Sequence, residues 1–294
     1  MFRFASESAE NTPHVSLAAE KIIDIAGFPI TNSLITGVIG YALLLWVLFY
    51  VAGKVKRDNK NRFVSLVQWA FEGLYNTVGQ VTGDKQVARR LAPLAITLFF
   101  FILVQYWLGV LPVIGPITWN GVPLFRGLAA DLNTTFALAL ITIVMAQVYA
   151  IRHHGFFGNL GRYFRNPFKD VAGAFEGILE LIAEFSRLMG LSLRLFGNVF
   201  AGEVLLAMIA FLTVYATPLA LPPFLIFELF IGAIQAYIFF MLTIVFISLG
   251  LAGHGHGSDD TQTDSERVLD HPRPDASVPS TRVGARGAAA GVDR

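Results

Sequence analysis

Five polar side chains sit where a polypeptide tolerates them least. Arg194, Asn198 and Glu203 fall inside one long apolar run, and Glu228 and Gln235 fall inside the next. A guanidinium keeps its proton at any pH a protein meets, so Arg194 is a fixed positive charge. A charge at the centre of a hydrocarbon layer costs roughly 2.5 kcal/mol to well over 10, depending on the reference, and ionisable groups there mark ion or proton pathways by default. The chemistry on offer is ion transfer. Carboxyl groups accept and release protons, amides hold water, and a permanent cation favours any anion that passes it.

Spacing groups these residues. On a helix stepping about 100° per residue, Glu180, Glu184, Arg187, Leu191, Arg194 and Asn198 lie within about 40° of one line, and Glu176 prolongs the line at its start. Glu203 departs from it by roughly 140° and faces elsewhere. Each residue also has a plainer reading. Glu176, Glu180 and Glu184 fit a solvated helix face as well as an ion entrance. Arg187 fits a side chain snorkelling to the interface, and Asn198 fits a hydrogen bond between helices. Arg194 lies seven residues deeper than Arg187, about 10 Å by helical rise. A structural salt bridge from Arg194 to Glu203 or Glu228 remains open at this stage. Glu228 and Gln235, seven apart, share one helix face.

The elements that must carry these residues are membrane spans. The chain has 294 residues, 54% hydrophobic and 15% charged, with a mean hydropathy of +0.59. Soluble domains carry about 25% charged residues. Five runs are long and apolar enough to cross about 30 Å of hydrocarbon, near residues 33–53, 91–113, 134–151, 188–216 and 222–252. The expected fold is an all-α membrane protein of five transmembrane helices, with the last two forming a long tilted hairpin. A turn centred near Leu219 would leave Arg194 and Gln235 at unequal depth in a straight hairpin. Phe63 to Val81 has apolar residues at helical spacing with polar breaks, as an amphipathic interfacial helix does.

Lys and Arg cluster between spans one and two and between spans three and four, whereas Arg126 alone stands between spans two and three. Basic segments stay in the cytoplasm, so the N-terminus is expected outside and the C-terminus inside. Residues 1–32 then form an external segment, 33–252 the membrane domain, and 253–294 a cytoplasmic tail whose Gly, Pro, Asp and Ser content predicts disorder. No signal-peptide pattern precedes the first span.

Other classes fall away. With no cysteine, the chain has no disulfide framework, thiolate site or cysteine nucleophile. A net charge of +1 leaves no basic excess for nucleic acid. His254 and His256 alone are too few ligands for a metal site, and no cofactor is expected. No internal repeat supports a stand-alone secondary transporter.

The run from Glu184 to Leu206, EFSRLMGLSLRLFGNVFAGEVLL, closely resembles the F-type ATP synthase subunit a family, whose signature is RLFGN followed by AGE. IQAYIFFMLTIVFISL resembles that family's final helix, and ADLNTTFALAL the start of its third span. The resemblance covers roughly residues 14 to 252. It implies a stator subunit beside a rotating ring of c subunits, in the plasma membrane of a bacterium, with the b-subunit stalk and the other synthase subunits as partners. Two offset half-channels would lead protons to and from a ring carboxylate. By this resemblance Arg194 faces that carboxylate and separates the half-channels. Glu203, Glu228 and Gln235 would line the outer one or hold its water, with Asp131 and Asn133 near its mouth; Glu180 and Glu184 would border the inner one, and Asn198 would belong to the proton pathway. A sodium-translocating version is the alternative. Family members often carry one acid and one histidine at the positions of Glu203 and Glu228. Here both are Glu, and two carboxyl groups brought close would share protons.

Overall fold

The computed structural model describes residues 3–4, 20–25, 28–57, 61–111, 117–119, 122–123, 125–156 and 171–252. The tail from residue 253, with His254 and His256, lies outside them, as does most of the N-terminal segment and the connection 157–170. Six long helices make up almost everything else: α1 (Asn32–Lys56), α2 (Arg62–Thr82), α3 (Lys85–Val110), α4 (Leu132–His154), α5 (Val171–Thr213) and α6 (Thr217–Ala252). Five of them are long and apolar enough to cross a membrane, and α2 is the exception. The fold is thus an all-α membrane protein. Short strands also pair, among them β1 (Lys21–Ile25) with β2 (Phe28–Thr31).

Local chemistry fixes the helix ends. Thr31 and Asp84 cap α1 and α3, accepting from the amides of Leu34 at 3.4 Å and Gln86 at 2.7 Å. Asp131 caps α4 by accepting from the amide of Asn133 at 3.0 Å. Such caps satisfy amides that have no partner inside the helix. Pro93 interrupts the ladder of α3, and the Thr97 hydroxyl donates back to the Pro93 carbonyl at 2.6 Å.

The turn of the last hairpin is a single 3-10 turn at Val214–Ala216, so Thr217–Leu221, expected as the loop, already belongs to α6. Hydropathy alone cannot locate this turn, because its flanks are equally apolar. Polar groups fix it: the Thr217 hydroxyl donates to the Ala210 carbonyl at 3.2 Å and meets the Thr213 hydroxyl at 3.0 Å. Pro218, near the start of α6, suits a first helical turn, where no intrahelical amide bond is lost. At 43 residues α5 extends about 65 Å. That is roughly twice the hydrocarbon thickness, so α5 runs tilted or projects beyond the bilayer.

Two apolar clusters hold the bundle. One joins Leu74 and Val78 of α2 to Leu91 and Ile96 of α3, Ala146 of α4, and Phe240 and Ile244 of α6. The other joins Ile102 and Tyr106 of α3, Ala139 of α4, Leu191, Leu195 and Val199 of α5, and Ala236 and Phe239 of α6. Helix α3 therefore serves both, with α6 packed along it. Lipid is as apolar as Leu, so helices in a bilayer associate by close packing of small residues and by hydrogen bonds. Gly232 of α6 lies against the Tyr106 ring: a Cβ there would stand 2.5 Å from ring Cδ1.

Gly232→Ala is therefore expected to destabilise the chain by about 1–3 kcal/mol, the usual range for overpacking. Gly73→Ala, on the α2 surface with nothing within 4 Å, should be neutral or stabilising by up to about 1 kcal/mol. Thermal unfolding of both variants in one detergent compares them directly.

Candidate functional site

The polar side chains form three levels along α5. At the α2 end, Arg187 meets Glu184 at 3.1 Å and Glu180 at 3.7 Å. Gln147 of α4 donates to Glu184 at 3.0 Å, and the Arg187 guanidinium lies 5.6 Å from the Phe246 ring of α6. Arg187 does not snorkel alone: it closes a small network with both glutamates. The neighbouring Thr135 and Ser192 hydroxyls join α4 to α5 at 3.3 Å.

At the middle level Asn198 of α5 donates its amide to Gln235 of α6 at 2.7 Å. Gln235 is 2% exposed and held inside the bundle, whereas Asn198 reaches it from the edge of the exposed face of α5. The early turn at 214–216 makes this pairing possible, since it sets α5 and α6 in nearly even register. Gln235 thus lies opposite Asn198, one helical turn from Arg194.

Arg194 stands between these levels and points out of the bundle. Leu191 and Leu195, its neighbours along the helix, are buried, but Arg194 itself is exposed. The line of residues expected on one face of α5 therefore does not share one environment: Leu191 faces the core and Arg194 the surroundings. Among the described residues no hydrogen bond or ion pair reaches the Arg194 guanidinium. The surface beside it is low. Gly190, Gly197 and Ala201 are exposed, with open space around both glycines.

At the turn end lie the two carboxylates, and neither meets Arg194. Glu228 is 2% exposed and accepts from the Tyr106 hydroxyl of α3 at 2.6 Å. Its carboxyl group presses on Gly202 so closely that any Cβ there would overlap it. Glu203 turns the other way, towards the connection between α3 and α4. There Arg126 Nε stands 3.6 Å from its Oε2, and Gly127 lies close beside it: a Cβ on Gly127 would stand 3.2 Å from Glu203 Oε1. Asp131 and Asn133 sit at the start of α4, where the Asp131 carboxylate serves as the helix cap.

Tyr106 and Arg126 escaped the sequence reading. Tyr106 looked like one aromatic among many in an apolar span. Arg126 carried one faint signal, as the lone cation of the connection between spans two and three.

These features define a helical multi-span membrane protein whose polar and ionisable groups gather along its last hairpin. Residues 34–248 match the family model described as ATP synthase A chain. The chain is 34% identical over 237 residues to the ATP synthase subunit a of Acidothermus cellulolyticus, covering 80% of each chain. It is 35% identical over 228 residues to that of Mycobacterium ulcerans, covering 74% of this chain and 86% of the relative. With the Marinomonas subunit it shares 31% over 226 residues, 72% of this chain and 79% of the other. The chain belongs to the ATP synthase subunit a family, the proton-channel component of the synthase stator, a membrane protein of bacteria.

Tyr106→Phe should leave the buried Glu228 short of a donor and destabilise the chain by about 1–3 kcal/mol. Gly202→Ala should cost a similar amount by displacing the same carboxyl group. Because both act on Glu228, their losses in the double variant should sum to less than the two singles. Chemical denaturation of the four proteins in detergent measures the coupling.

Proposed function

We propose that this chain conducts protons through two offset half-channels against a ring of c subunits, coupling their passage to ATP synthesis. The exposed guanidinium of Arg194, which meets no partner among the described residues, carries the reading. An arginine at membrane depth with no counter-ion of its own is costly unless a neighbouring chain supplies one. A ring carboxylate would be that counter-ion, meeting Arg194 only in passing. Gly190, Gly197 and Ala201 leave room for another helix to come close beside it.

In this reading Glu203, Glu228, Gln235 and Asn198 line the outer half-channel, and Asp131 and Asn133 stand near its mouth. Glu180 and Glu184 border the inner one. Arg194 separates the two: it favours an ionised ring carboxylate and repels a proton that would otherwise cross directly. A leak would be wasteful, since each charge crossing 100 mV carries about 2.3 kcal/mol. The b-subunit stalk anchors the chain within the complex, and nucleotide chemistry belongs to other subunits. The N-terminal segment lies outside and the 253–294 tail in the cytoplasm, following the Lys and Arg of the connections.

Arg194→Ala should abolish proton-driven ATP synthesis in membrane vesicles while the complex still assembles. Glu228→Gln should slow proton conduction. Normal coupling in the Arg194 variant would refute the reading. An unchanged conduction rate in the Glu228 variant would take that residue out of the path.

A further inference from the structure

We propose that Arg126 is a positioning residue of the outer half-channel, acting through Glu203. The proposal rests on the reading that Glu203 lies in that half-channel. Arg126 lies 77 positions before Glu203 in the chain and belongs to a connection, not a span. It is nevertheless 8% exposed. Withdrawing a guanidinium from water is expensive, and only charge-paired or well-bonded arginines are found so deep. Its guanidinium faces Glu203 at 3.6 Å and donates to the Ala130 carbonyl at 3.4 Å.

The backbone around Arg126 is as constrained as its side chain. The Arg126 amide donates to the Thr36 hydroxyl of α1 at 3.1 Å, which ties the connection to the first span. The next residue, Gly127, lies close against the same carboxyl group: a Cβ there would stand 3.2 Å from Glu203 Oε1. Gly127 also packs on Gly109 at the end of α3: a Cβ on Gly109 would come within 2.9 Å of the Gly127 Cα. Two adjacent residues of one connection thus lie against one carboxyl group, Arg126 by its charge and Gly127 by its bare backbone, and α1 and α3 hold the connection.

The grip has a directional consequence. Glu228 is held on the far side by Tyr106 and seated on Gly202. Each carboxyl group therefore has its own donors, and Arg126 keeps Glu203 turned towards the connection. Without the guanidinium, the Glu203 side chain regains its rotamers, and its carboxyl group leaves the position in which it would receive protons. Arg126 touches neither the ring nor the translocated proton; its effect passes entirely through Glu203.

The test measures passive proton flux in vesicles bearing the whole membrane sector stripped of its nucleotide-binding part, with assembly checked by subunit content. Four variants are compared with the parent: Arg126→Gln, Arg126→Lys, Glu203→Gln, and Arg126→Gln combined with Glu203→Gln. Arg126→Gln should lower flux on the order of tenfold, as loss of an orienting partner typically does. Arg126→Lys, which keeps the charge and loses the planar fork, should fall between that variant and the parent. The double variant should be no slower than Glu203→Gln alone, a result that a general structural role would not produce. Parental flux in Arg126→Gln, or a double-variant loss equal to the product of the singles, would overturn the proposal. Should Arg126→Gln fail to assemble, Arg126→Lys carries the comparison: its deficit should vanish in the Glu203→Gln background. Parental flux in the Lys variant, or an equal deficit in both backgrounds, then overturns it. Parental flux in Glu203→Gln alone would instead refute the half-channel assignment of Glu203, and the proposal with it.

Discussion

A polar group inside a bilayer has no water to turn to, and that constraint organises this bundle. Every buried polar side chain of the site finds its partner on a different element. Gln235 of α6 takes Asn198 of α5, Glu228 of α6 takes Tyr106 of α3, and Glu203 of α5 takes Arg126 of the α3–α4 connection. These pairs do more than avoid a penalty. Each fixes the relative register of two elements, because a one-residue slip would carry the donor to the wrong face. Between apolar helices, where packing alone discriminates weakly, such bonds specify which arrangement forms.

Arg194 stands outside this scheme. Its side chain points out of the bundle, and among the described residues no carboxylate meets it. Arg126 already occupies Glu203, and Tyr106 already occupies Glu228. The open alternatives from sequence, an internal bridge to either carboxylate, thus lose their partners to residues that sequence did not single out. A charge that no described residue pairs suits a chain that belongs to a larger assembly. Under the proposed function, the cost of exposing it to lipid is offset at the interface with the ring.

The five spans, the amphipathic helix and the polar residues of α5 and α6 were legible in the sequence for a simple reason. Charge and amide groups contrast sharply with an apolar background, and helical periodicity sets their faces. Two kinds of information were not legible. The hairpin turn lies among residues of uniform hydropathy, and two threonine hydroxyls fix its position, which composition cannot reveal. That shift of a few residues matters, since it sets Gln235 against Asn198. Arg126 and Tyr106 were hidden because their importance is tertiary. Each is 77 or more positions from its partner in the chain, as the numbering of Arg126 and Glu203, Tyr106 and Glu228 shows, and no local pattern marks the pairing.

Glycine supplies the remaining part of the design. Carboxyl groups are bulky, and a helix interface lined by ordinary side chains would hold Glu228 away from α5. Gly202 removes that obstacle, so the Glu228 carboxyl group lies directly on the α5 backbone, one residue from Glu203. Gly127 and Gly109 do the same for the connection, letting its backbone lie close to Glu203 and to the end of α3, and Gly232 lets Tyr106 approach α6 and reach Glu228. Two acidic side chains are thereby brought into adjacent positions on neighbouring helices, each with its own donors. The two carboxyl groups face different partners: Glu228 meets Tyr106 of α3, and Glu203 faces Arg126 of the connection that closes the turn end of the bundle.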